Sequence, residues 1–219
     1  MSSEDHCSRK PPVVGIVGGV GSGKSAVVRR LARGWPVDVV DADQIGHEVL
    51  TLPEIKHQIH QTFGPGVFAG GELTGEIDRR QLGQRVFGSR THHKESLIQL
   101  EAIVHPEIRR QIQSRIGQQF QSVRTGCEVV LLDAAVMFEA GWDDLCDAVV
   151  FVDAPFKVRL ARVIQNRGWD DSRLRQREAS QLPLDRKKEL ADFVVDNSGD
   201  LEDSVRQLQE FVSSWNQQN

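Results

Sequence analysis

The chain has 219 residues, 39% of them hydrophobic and 26% charged, with a formal net charge of −4 at pH 7. That length suits one buried core, possibly with insertions, and the acid surplus supplies no overall basic field for nucleic acid or an anionic membrane, so any anion site has to be built locally. Three dispersed cysteines (Cys7, Cys127 and Cys146) in no Cys-x-x-Cys pair argue against a disulfide scaffold or zinc site and for a reducing compartment, the cytoplasm by default.

In chain order, Met1 to Lys10 lacks the apolar centre of a signal peptide and is expected to be a loose tail. No apolar run approaches the roughly 20 residues that span a bilayer. Val13 to Val17 reads as the first strand, followed by Gly18-x-x-x-x-Gly23-Lys24-Ser25, a complete phosphate-binding loop opening a helix that carries Val27, Val28 and Leu31. Backbone amides of Gly21, Ser22, Gly23 and Lys24 can wrap a phosphate, because glycine lets the chain come close and take positive φ, and the helix adds its positive end. Lys24 would reach the β- and γ-phosphates, and the Ser25 hydroxyl would be a ligand of Mg²⁺, which favours oxygen donors shared with phosphates. The helix should end near Arg33, with Gly34 left-handed and Pro36 following.

The second strand, Val37 to Asp41, leads into Asp43, so both carboxylates fall at a C-terminal strand edge, where open α/β sheets build their sites. Asp43 can serve as the base for an attacking hydroxyl, with Asp41 in support through water to Mg²⁺ or as a helix cap; plain capping of the helix near Gln44 would explain both. Between Thr51 and Thr125 the strand signal disappears. There Asp78 caps a helix, with Gln81 completing a capping box and Ile77 stapled to Leu82. A further helical pattern follows through Leu97, Leu100, Ile103 and Val104, then Ile108 and Ile112, with His105 and Pro106 at the junction of two helices. Such an insertion either binds a substrate or only covers apolar surface. His57 and His60 share a helix face without a third zinc ligand at matching spacing.

Three more strands read as Glu128 to Leu132, Ala148 to Val152 and Phe193 to Asp196. All five are short and valine-rich without clean alternation, which predicts a doubly wound parallel sheet covered on both faces. Asp133 ends the third strand, where it could bond Ser25 or metal-bound water, or act as a structural cap. Between Lys157 and Lys188 ten Lys or Arg face four acids, a local balance of +6. The surplus suits either a lid closing on phosphates, whose oxygens match the arginine fork, or a solvated helix face. Trp169 beside it could stack on a base or anchor the segment.

Several segments together resemble the dephospho-CoA kinases: "GGVGSGKS", "VDAD", "GELTGEIDRRQLGQRVF" (Gly71 to Phe87), "HPEIR", "LLDAAVMFEAG", "REASQLP" and "ADFVVDNSG". The resemblance covers Val13 to about Leu208. It implies a P-loop NTPase fold with a five-stranded doubly wound sheet. A nucleotide-binding core would be formed by residues 11–50, 126–157 and 189–219, a helical CoA-binding insertion by 51–125 and an arginine-rich lid by 158–188. The implied activity is ATP-dependent phosphorylation of the ribose 3′-hydroxyl of dephospho-CoA, giving CoA and ADP, with Mg²⁺.

By the same resemblance, Asp43 corresponds to the base, Gly21 to Ala26 (including Ser22, Gly23, Lys24 and Ser25) to the ATP loop, and Asn197 to the residue near adenine. Arg162 and Arg177 correspond to lid arginines that contact nucleotide and acceptor. Arg79, His105, Pro106 and Asp133 are assigned to acceptor binding with Asp43 and Arg177, and Lys24 and Arg162 to catalysis. The implied partner is a small molecule, without nucleic acid or membrane, for a monomer or weak homo-oligomer. Three departures stand out: Ala26 where the family usually has Thr, "AAVMFE" where it has "IPLLFE", and "QNRG" in place of an arginine-first turn, which leaves open whether Arg167 contacts a phosphate.

Read from the residues alone, a P-loop kinase of a nucleotide, shikimate or gluconate remains open. A GTPase-like switch is disfavoured: Asp43-Gln44-Ile45-Gly46 has the DxxG form but follows the loop too closely, and no NKxD motif occurs.

Overall fold

The computed structural model describes residues 10–71, 75–87, 91–121 and 127–218. Cys7, most of the amino-terminal tail, residues 72–74 of the Gly71 to Phe87 signature and residues 122–125 of the expected insertion lie outside these. Five parallel strands, β1 (Val13–Gly18), β2 (Val37–Asp41), β3 (Val129–Asp133), β4 (Ala148–Asp153) and β5 (Phe193–Asp196), form a sheet of order β2-β3-β1-β4-β5. Every residue of β1 and β3 is buried, the signature of parallel strands covered on both faces.

Successive side chains still divide between the faces, as the strand period of two requires. Val14 and Ile16 join Val27, Val28 and Leu31 of α1 (Lys24–Ala32) and Val205, Leu208 and Val212 of the C-terminal helix. Val13 and Val17 face a second cluster that takes in Ile45, Ile55, Ile59, Leu82, Ile108 and Ile112. That second layer comes from α2 (Ala42–Val49), α3 (Pro53–Phe63), α4 (Arg79–Val86) and α5 (Thr91–Gln121). The arginine-rich segment folds as α6 (Phe156–Arg167), α7 (Asp171–Glu178) and α8 (Leu184–Leu190), and α9 (Leu201–Gln218) closes the chain.

Four expectations are corrected. Gly34 is not left-handed; α1 ends at Arg33, and the Gly34 and Trp35 amides close on the Leu31 carbonyl without a positive φ. Asp78 caps α4 by accepting from the Arg80 and Gln81 amides, but its own N–H goes to the Val67 carbonyl at 2.9 Å, leaving no backbone donor for the Gln81 half of a capping box. The helix after β2 begins at Ala42, two residues earlier than expected, because Asp41 itself is the cap.

His105 and Pro106 mark no junction, since α5 runs through them unbroken. Proline lacks the N–H that would bond the carbonyl four residues back and so weakens a helix interior. Ile103 and Val104 before it and Ile108, Ile112 and Ile116 after it are held in one core, and that packing overrides the local signal.

Candidate active site

The phosphate loop lies between β1 and α1 in a shape only glycine permits at two positions. Gly21 has φ 77° and Gly23 φ 89°, and a Cβ on Gly21 would stand 2.8 Å from the Arg159 carbonyl oxygen. On Gly23 it would run into Asn197 Nδ2. Ser22 is buried between them, and its carbonyl accepts from Asn197 Nδ2 at 2.6 Å and from an Arg162 terminal nitrogen at 2.9 Å. The other terminal nitrogen of Arg162 bonds the Asn197 carbonyl at 2.9 Å, and Ser204 Oγ donates to Asn197 Oδ1. Arg162 and Asn197 thus tie the loop to the end of β5. Ala26 sits in the first turn of α1, its amide bonded to the Gly23 carbonyl.

Asp133 joins the loop to the neighbouring strand edge. One carboxylate oxygen forms a buried ion pair with Lys24 Nζ, and the other accepts from Ser25 Oγ at 2.7 Å. Of the readings left open for Asp133, the bond to Ser25 is the one made. Since Asp41 pairs in register with Asp133, the second strand ends at the same rim. Asp41 caps α2 through the Gln44 amide at 2.9 Å, which leaves Asp43 exposed in the first turn, above the sheet edge.

Arg177 approaches this rim from α7. Its guanidinium lies 3.9 Å above the Phe87 ring, at the end of α4. Burial pushes its pKa below the usual arginine value, the positive charge of Arg167 adds to that, and the carboxylate of Asp43 opposes it. Arg177 therefore sits in the fields of both Asp43 and Arg167. Trp169 is flanked by Arg167 and Arg173, both of the same segment, at 5.1 and 4.9 Å from its ring centre.

His105 is half-buried on α5 with its ring edge-on to Trp142 at 5.3 Å. Burial lowers its pKa against the pull of Glu139, while burial and then Glu139 raise that of Glu101. Pro106 is exposed beside it, and Arg79 is exposed at the start of α4. No bond in the described residues brings Arg79, His105 or Pro106 to Asp43 or the loop. The paired-histidine face is otherwise employed: His57 meets Gln61 at 3.0 Å, and His60 packs on Phe68.

Two residues of this region escaped sequence reasoning. Arg159, one helical turn before Arg162, is buried; its Nε donates to the Ala154 carbonyl, a terminal nitrogen reaches the Val20 carbonyl of the loop, and it pairs with Glu178. Lys187 is wholly buried, bonded to the Ala135 carbonyl at 2.7 Å and paired with Glu139 at 2.8 Å. The i, i+3 spacing of Arg159 and Arg162 was a usable signal. Nothing in the sequence distinguishes Lys187 from Lys188, which faces Asp153 at the surface.

A glycine loop opening a helix at the C-terminal edge of a parallel sheet, with its lysine and serine held by an aspartate from the adjacent strand, defines a P-loop kinase fold. The sequence pattern of the family described as dephospho-CoA kinase matches residues 12–203, and the chain belongs to that family. A dephospho-CoA kinase of Bacillus licheniformis is 38% identical over 204 residues, covering 93% of this chain and 96% of the relative. A crystal structure from Thermus thermophilus superposes with a TM-score of 0.75 at 31% identity, covering 94% of this chain and 98% of that one. An Acinetobacter baumannii shikimate kinase shares the fold at TM-score 0.52 and 16% identity, covering 93% and 94% of the two chains. Fold alone therefore does not choose the acceptor.

Proposed function

We propose that this protein transfers the γ-phosphoryl group of ATP to the ribose 3′-hydroxyl of dephospho-CoA, giving CoA and ADP. The observation that carries the mechanism is the shared rim: Asp41 in register with Asp133, Asp133 holding Lys24 and Ser25, and Asp43 two residues beyond Asp41. The choice of acceptor is supported by the near full-length likeness to dephospho-CoA kinases.

Phosphoryl transfer needs little covalent help from the protein; positioning and charge neutralisation dominate. The loop amides cradle the β-phosphate, and Lys24 exchanges its aspartate partner for the β- and γ-oxygens. Asp43 takes the proton of the sugar hydroxyl, and Arg177 beside it meets charge on the acceptor or the transferred group. The neighbouring oxygens of Ser25 and Asp133 are the hard donors Mg²⁺ prefers. When bound, the ion neutralises phosphate charge.

Residues 51–125 form the acceptor-binding insertion and 158–188 the lid, closing over the core to keep water from the γ-phosphate. No helix among the described residues is long and apolar enough to cross a membrane. We place the protein in the cytoplasm as a monomer or weak homo-oligomer.

The test is to incubate the protein with Mg·ATP and dephospho-CoA, a nucleoside monophosphate, shikimate or gluconate and follow ADP. Acceleration by dephospho-CoA alone is expected. Faster turnover with another acceptor replaces this reading, and GTP hydrolysis without acceptor replaces the kinase with a switch.

A further inference from the structure

Arg177 lies at the head of a segment that is tied to the rest of the molecule by two ion pairs, whose members on the segment, Glu178 and Lys187, both follow it in the chain. On its C-terminal side, Glu178 reaches Arg159, whose guanidinium also bonds the Val20 carbonyl within the phosphate loop. Arg159 keeps only 6% of its side chain in solvent and Glu178 18%. Farther along, Lys187 has no solvent exposure and is shared by the Ala135 carbonyl, two residues past Asp133, and the Glu139 carboxylate. Glu139 also accepts the Leu182 amide at 2.8 Å, and Lys187 reaches Gln181 Oε1 at 3.3 Å, so this anchor grips the turn after α7 as well as α8. One anchor therefore ends on the loop that holds the donor, and the other on the connection leaving β3 beside the Lys24 and Ser25 partner.

We propose that Glu178 and Glu139 are positioning residues: through Arg159 and Lys187 they fix the 177–187 segment to the phosphate loop and to the β3 connection at once, and so set Arg177 against Asp43. In each pair the cation is covered while its carboxylate keeps 18% or 19% of its side chain in solvent, and a covered charge without its mate is expensive. A pair of this kind is weak evidence of stability and good evidence of register. Displacing a reacting group by about 1 Å can cost about a hundredfold in rate, which a loosened Arg177 would show.

This inference rests on the proposed transfer, whose test is the turnover of the wild-type protein; the variants are compared only with that. Glu178→Ala and Glu139→Ala are each expected to lower kcat for dephospho-CoA by about ten- to a hundredfold with the Kd for Mg·ATP held within about twofold. Glu178→Gln and Glu139→Gln keep an accepting oxygen and should recover most of the loss. The double alanine variant should fall little below the worse single one, because one released anchor already frees the segment. Amide hydrogen exchange over Arg175 to Leu182 supplies a readout independent of activity: it should quicken in either alanine variant and not in the glutamine variants. Unchanged kcat in both alanine variants overturns the proposal. So does a loss of ATP affinity parallel to the loss of kcat, multiplicative losses in the double variant, or exchange that stays slow.

Discussion

Two regions supply cations to the same rim of the sheet and are held there by different means. In the phosphate loop the shape is written in eight consecutive residues: positive φ at Gly21 and Gly23, the start of α1 and one lysine whose partner lies across a strand pairing. The proposed lid, α6 to α8, is held by the Arg159–Glu178 pair within it, by the Arg159 bond to the Val20 carbonyl and by the Lys187 pair with Glu139 outside it, contacts that no local rule requires. A rigid loop suits a donor that always presents the same phosphates. A segment pinned at separate points suits a group that must be released to admit two substrates.

The strongest way to probe this contrast is at Lys24. Lys24→Ala leaves the buried Asp133 with Ser25 but without its cation, which costs about 3–5 kcal/mol of stability, and it removes a phosphate ligand. Thermal unfolding and ATP titration should both report the loss; a variant that binds ATP normally would show the loop to depend on its backbone alone. At Asp43 the effect should be confined to turnover. Asp43→Asn is expected to lower kcat by about a hundred- to ten-thousandfold with ATP affinity little changed, and wild-type turnover in that variant would remove this carboxylate from the chemistry.

A smaller loss tests the loop's own geometry. Gly23→Ala forces an L-residue into the left-handed region, a strain of about 1–3 kcal/mol, and pushes a methyl group at Asn197, so ATP binding should weaken in titrations while hydrogen exchange in α7 stays as in wild type. Outside the rim, Asp78→Ala removes the cap of α4 and should cost about 1 kcal/mol, lowering the thermal midpoint by about 2–4 °C, with Mg·ATP affinity intact.

The least effect is expected from pH. Burial lowers the pKa of His105 from 6.5, so the folded protein takes its proton less readily than the unfolded chain. Its share of stability is complete above that pH and is lost as pH falls below it. Glu139 acts on both His105 and Glu101 and is itself paired with Lys187, and Glu101, its pKa raised from 4.5, contributes the opposite slope at lower pH. His105→Gln should therefore flatten the fall in thermal midpoint as pH drops below about 6.5; an unaltered slope would assign that titration elsewhere.

The sequence by itself determined the five strands, the loop and the placing of acids at strand ends, because each depends on neighbours within a few residues: valine runs, glycine spacing, a lysine and serine at the head of a helix. It also carried the family likeness. Tertiary packing decided that α5 would run through Pro106, where isoleucines on both sides share one core. It decided too that Asp133 would hold both Lys24 and Ser25, and that of ten cations in one segment Arg159 and Lys187 would be buried as anchors while Lys188 stayed at the surface. A charge count gives the sum of a segment's fields. Which carboxylate each cation meets is fixed only when the fold brings separate elements together, 19 positions apart for Arg159 and Glu178 and 109 for Lys24 and Asp133.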